Sequence, residues 1–110
     1  MGALGLYKKE VEAGGDPRGQ YNVGRMHELG LGVEQSDEAA AGWYRRAADQ
    51  GSLGAQYKMA FMHLHGNGVE QSDEEAAKWF RKAAEQGDPS AQFKLGWVYE
   101  DGIGVEQSYE

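Results

Sequence analysis

The pentapeptide Gly-Val-Glu-Gln-Ser occurs three times, beginning at Gly32, Gly68 and Gly104, so the chain repeats itself every 36 residues. Overlaying residues 30–65 on 66–101 gives 19 identities in 36 positions, which requires a modular architecture. A helix pair of about this length cannot bury both of its apolar faces alone, so neighbouring units must stack and share a continuous core. With 110 residues in hand, a short array is the ceiling.

Each period reads as two helices. Between Ser72 and Gly87, residues Ala76, Trp79, Phe80, Ala83, Ala84 and Gly87 recur at helical spacing, and the stretch from Ser36 to Gly51 repeats the stripe. Ser36 and Ser72 stand where N-caps belong, Ser72 with Glu75 in capping-box register. Glu74 lies four residues before Lys78 and Arg81 four before Glu85, which makes the opposite face a solvated charge lattice. The other type of helix opens at Asp88-Pro89, with Asp16-Pro17 and Ser52-Leu53 as equivalents, and stops at Gly102, Gly66 or Gly30. The expected fold is all-α, with helices over about 3–13, 17–29, 37–50, 53–65, 73–86 and 89–101. Residues 1–15 then form an N-terminal half-repeat or cap, 16–51 the first repeat, 52–87 the second and 88–110 a partial third.

Gly66-Asn67-Gly68 has the look of a phosphate loop, but such a loop follows a strand, and no strand pattern precedes it. These glycines are read as a turn that ends one helix in a left-handed conformation, with Val69 inserted between the two helices. The balance of 11 basic and 18 acidic residues, a net charge of −7, argues against nucleic acid and anionic membrane surfaces as partners. Without cysteine there is no disulfide, thiolate nucleophile or Cys-type zinc site, which fits a cytoplasmic location. No segment approaches the roughly 20 apolar residues of a membrane span, and none has the run of a signal peptide. His63 and His65 face different directions, while His27 only repeats the position of His63, so no metal site is expected. The acidic residues recur with the repeat or sit on the solvated face; no catalytic residue and no cofactor is expected, and an enzyme is not indicated.

The third copy carries Ala91, Leu95, Gly96, Tyr99, Gly102, Gly104 and Val105; the second carries Ala55, Met59, Ala60, His63, Gly66, Gly68 and Val69, then Ala76, Trp79, Phe80, Lys82, Ala83, Ala84 and Gly87. This pattern resembles the Sel1-like repeats, relatives of the tetratricopeptide repeats, over essentially the whole chain. Departures are modest: His27 and His63 replace a preferred Tyr, Gly19 an Ala, and Ser36 and Ser72 a preferred Asp. The resemblance implies a right-handed α-solenoid of antiparallel helix pairs that serves as a protein interaction scaffold.

By analogy with tetratricopeptide solenoids, one face of each first helix lines a concave groove. Tyr21, Tyr57 and Phe93 would form one ladder across it, and Arg25, Phe61 and Trp97 a second, one turn along. Asn22, Lys58 and Lys94 would add polar contacts to an acidic or backbone-rich ligand, with His65 on the same face as Phe61. Two readings of the aromatics stay open: anchors for a partner segment, or intramolecular packing. The expected function is a non-enzymatic scaffold or adaptor that binds a peptide or helix of another protein. The alternatives are a structural module that associates head to tail through open ends, the apolar residues Leu95, Val98 and Tyr99 being uncovered, or a scaffold excised from a longer array or regularised by engineering.

Overall fold

The computed structural model describes residues 15–90, 92, 93 and 96. Four helices of 13 residues form there: α1 Pro17–Leu29, α2 Asp37–Asp49, α3 Leu53–His65 and α4 Asp73–Glu85. Each starts at a side-chain cap. The Asp16 carboxylate accepts from the Arg18 amide at 2.9 Å, with Pro17 in the first helical turn. Ser36, Ser52 and Ser72 accept from the amides of Ala39, Ala55 and Glu75 at 3.1, 3.3 and 3.1 Å. These bonds satisfy amides that no helical carbonyl can reach.

Helices α1 and α3 end at the expected residues; α2 and α4 end one residue before the expected 37–50 and 73–86. The reason is Gln50 and Gln86. Each leaves helical geometry to donate its amide in a tight terminal turn, to Ala47 and Ala83 respectively, and each sends its side chain sideways. The Gln50 amide donates to Gln20 Oε1 at 2.8 Å and to the Gly15 carbonyl at 2.7 Å. Gln86 repeats this on Gln56 Oε1 at 2.8 Å and Gly51 at 3.0 Å. Gln56 in turn donates to Ala48 at 3.2 Å. Buried amides are thereby paired rather than left as a desolvation cost. Among the described residues the same latch thus occurs twice, one period apart.

Each helix packs on its successor, α1 on α2, α2 on α3 and α3 on α4. The core alternates bulk with smallness: Tyr44, Met59, Trp79 and Phe80 are buried among Ala40, Ala47, Ala55, Ala60, Ala76 and Ala83. Alanines at the crossings bring the backbones close, and the rings fill what remains. Val69, partly buried, packs against this cluster. Trp43 lies at the edge with the Arg46 guanidinium 4.6 Å above its ring, and Lys82 stands 5.5 Å above Trp79 in the same manner. On the outer face Arg45 and Asp49 form a long, exposed pair at 3.9 Å.

The turn at Gly66 and Gly68 has a structural explanation. Gly66 caps α3 in the left-handed region at φ 73°, and its amide bonds to Met62 at 2.7 Å. Gly68 has φ 75°, and a Cβ there would lie 2.3 Å from the Asp37 carbonyl oxygen. The loop is pressed against the start of α2, where only glycine fits.

Pro89, Ser90, Gln92, Phe93 and Gly96 are helical. The expected helix over 3–13, the rest of 89–101, and Leu95, Val98 and Tyr99 with the association read from them lie outside the described residues.

Candidate functional site

Because α2 and α4 pack behind them, α1 and α3 present equivalent faces side by side. A groove of about 460 Å³ lies there. Tyr21 and Glu28 come from α1, while Tyr57, Lys58, Phe61 and His65 come from successive turns of α3. Gly54 and Met62 complete the α3 wall, Asp37 enters from the start of α2, and Asn67 from the turn after α3.

Five of the ten expected residues therefore meet in one groove: Tyr21, Tyr57, Lys58, Phe61 and His65. Asn22 joins Tyr21 and Arg18 in an adjoining depression of about 450 Å³. Arg25 is exposed and lines neither. Phe93, one period after Tyr57, is 75% exposed. Lys94 and Trp97 lie outside the described residues.

The aromatic wall is continuous. Tyr57 stacks on Phe61 with centroids 6.5 Å apart and planes 14° apart, and Phe61 on His65 at 6.4 Å and 10°. Behind this row Phe80 meets Phe61 edge-on at 5.2 Å and Tyr57 at 6.2 Å. Tyr21 lies 5.4 Å from Tyr44, and its ring passes so near Gly54 that a Cβ there would stand 3.2 Å from it. The two readings of the aromatics thus describe the same side chains. Tyr21, Tyr57 and Phe61 are partly buried against the core and also line the groove. Truncating Phe61 removes packing as well as groove surface.

Beside the rings sits a polar cluster. Glu28 Oε1 accepts from the Tyr44 hydroxyl at 2.6 Å and from Lys58 Nζ at 3.0 Å, and the same ammonium stands 5.7 Å from the Tyr44 ring centre. Partial burial raises the pKa of Glu28, but the bonds from Tyr44 and Lys58 and the attraction of Lys58 and Arg25 outweigh it, so the carboxyl is held below its ordinary value. Burial first, and then the Glu28 carboxylate, push the Tyr44 phenol far above its usual range. Lys58 is consequently engaged by Glu28 within the protein and is no free cation for an acidic ligand. Next to Lys58 on α3, the Tyr57 hydroxyl donates to the Asp88 carboxylate, and burial together with that carboxylate pushes the phenol up to about 12.

Helical spacing sets Glu28 on the same face of α1 as Tyr21, whereas sequence reasoning missed Asp37, Gly54, Met62 and Asn67. A second signal for Glu28 was there: one period on, Glu28 and Tyr44 become Leu64 and Phe80, a paired change from polar to apolar at two positions that touch in the fold. His63 Nδ1 lies 3.1 Å from the Glu70 carbonyl. Among the described residues no group of three or more His, Asp or Glu side chains is arranged to hold a metal, and no helix is long and apolar enough to cross a membrane.

Comparison with protein-family models matches the Sel1 repeat at residues 17–52, 53–88 and 89–110. Solved structures share the fold, three of them as follows. A Sel1 repeat protein from Oxalobacter formigenes is 40% identical, with a TM-score of 0.79 over 84% of this chain and 38% of that one. A protective antigen of uropathogenic Escherichia coli displaying an SLR fold is 35% identical, with a TM-score of 0.82 over 96% of this chain and 22% of its own. Cysteine rich protein B of Helicobacter pylori is 25% identical, with a TM-score of 0.69 over 72% of this chain and 59% of its own. The chain thus spans 22% to 59% of these relatives' lengths. A search of the curated proteins finds no match. Helix pairs in series, the matched repeats and these neighbours make the molecule an α-solenoid, and the chain belongs to the Sel1 repeat family, whose members are generally non-enzymatic protein–protein interaction scaffolds.

Proposed function

We propose that the groove between α1 and α3 receives a peptide or helical segment of another protein, the repeats acting as a rigid adaptor with no chemistry of their own. The observation that carries this is the row Tyr57–Phe61–His65, whose rings line the groove while packed from behind by Phe80. Rigid aromatic surface backed by a core loses little conformational freedom on binding, and aromatic residues dominate interface energetics. A groove of about 460 Å³ accommodates a few side chains of a partner rather than a whole domain.

The test is selection of short displayed peptides on the folded protein, followed by amide chemical-shift mapping. Shifts should concentrate at Tyr21, Tyr57, Lys58, Phe61 and His65. Replacing exposed His65 by Ser should weaken binding and leave the thermal midpoint in place, because that residue touches the aromatic row without belonging to the core. Selected peptides whose shifts fall on the α2 and α4 faces would refute the reading.

A further inference from the structure

The polar lining of the groove is lopsided. It offers two carboxylates, Glu28 and Asp37, against a single ammonium, Lys58. Both donors to Glu28 converge on Oε1, and among the described residues none is placed on Oε2. Asp37 is similar: Gln35 Nε2 donates to its Oδ1 at 2.8 Å, and no described donor is placed on Oδ2. Each carboxylate is therefore oriented by an internal bond that uses one oxygen and leaves the other available. The next cation along α1, Arg25, is exposed and outside the lining. At long range the chain's net charge of −7 attracts cationic partners.

Resting on the groove reading above, we propose that the recognised segment is basic: it seats one cationic side chain, arginine in preference to lysine, against Glu28 and Asp37 and beside the Phe61–His65 pair. A guanidinium has five donors in one plane, a fork that matches a carboxylate's geometry, whereas an ammonium is a single point of charge. Its flat face also stacks on aromatic rings, where a cation is attracted by the ring quadrupole. An acidic segment meets the opposite situation, since Lys58 is already bound by Glu28 and the remaining charges repel it.

The experiment uses three synthetic peptides, blocked at both ends and identical except for a central arginine, citrulline or glutamate between leucine and alanine residues. Binding is read by fluorescence anisotropy at low and moderate salt, and its location by amide chemical shifts. The arginine peptide should bind about tenfold more tightly than the citrulline peptide, with the glutamate peptide weakest, and should lose that advantage as salt is added. Asp37→Asn and Glu28→Gln should each weaken the arginine peptide several-fold and leave the citrulline peptide unchanged. Asp37→Asn is the cleaner variant, because it keeps the Glu28–Lys58 pair intact. If all three peptides bind equally with shifts at Tyr57 and Phe61, the charge preference is wrong and the groove reading stands. If no peptide binds, or the shifts lie elsewhere, both are wrong. Shifts at the groove that follow protein concentration instead of peptide would assign it to a second copy of the chain and overturn the proposal.

Discussion

The two helix pairs close the same space in different ways. In the pair α1–α2, the Tyr44 ring crosses so close to α1 that a Cβ on Gly24 would lie 2.7 Å from it, and its hydroxyl reaches Glu28 at 2.6 Å. In the pair α3–α4, Ala60 takes the place of Gly24, Phe80 of Tyr44 and Leu64 of Glu28, and the closure is three rings, Tyr57, Phe61 and Phe80, meeting at 5.2 to 6.5 Å. One pair is locked by a hydrogen bond to a charge, the other by edge-to-face packing. Only the first leaves a carboxylate in the groove. A repeat backbone thus tolerates either closure, and the choice decides what chemistry the exposed face carries.

If ring packing holds the second pair, the largest effect belongs to Phe80. It is fully buried, and its truncation to Ala should cost about 3–5 kcal/mol in urea unfolding. A cost near 1 kcal/mol would mean that Tyr57 and Phe61 collapse into the space and that the closure is adaptable.

The turns offer the next contrast. Gly68 and Gly32 share a left-handed backbone, at φ 75° and 76°, yet among the described residues a Cβ at Gly32 meets nothing within 4 Å, while at Gly68 it would strike the Asp37 backbone. Gly32→Ala should therefore cost about 1 kcal/mol of backbone strain, and Gly68→Ala about 3 kcal/mol, strain plus overpacking. Equal midpoints for the two variants would show that the loop can lift away from α2.

Exchanging the closing side chains is subtler. Phe80→Tyr brings a hydroxyl into a site where Leu64 stands in place of Glu28, so it should destabilise by about 2 kcal/mol through an unpaired buried group. A neutral result would imply that the hydroxyl reaches solvent or another acceptor.

The period, the caps and the apolar stripe made the helices legible, because each is local: Ser36 and Ser72 cap as their positions demand, and the alanines at 47, 48 and 83 are buried where the stripe put them. The residues that end α2 and α4 were not legible. Gln50 and Gln86 turn out of the helix to meet partners 30 residues away, and identity between copies was the only trace of that bond. The site divides along the same line. Tyr57, Phe61 and His65 follow from helical spacing on α3, but Asp37 joins them from the start of α2, beside the turn at Gly68, a juxtaposition distant in sequence that no local pattern records.

The smallest expected effect is also the most specific to the first pair. Tyr44→Phe removes the 2.6 Å bond to Glu28 and leaves the ring in place. A hydrogen bond to a charged group contributes about 1.5–3 kcal/mol when well buried, and Glu28 is 28% exposed, so roughly 1 kcal/mol is expected at neutral pH. The folded-state pKa of Glu28 lies below its ordinary 4.5, so its contribution is complete above that pH and is lost as the pH falls through the folded value. The Tyr44 hydroxyl is one of the groups that lower it, so the variant should lose less than the wild type on acidification. Urea midpoints at pH 7 and about pH 3 should show the two proteins converging in acid. A gap that stays constant across that range would mean that the hydroxyl acts through packing against α1 and that the carboxylate, free of it, is held by Lys58 alone.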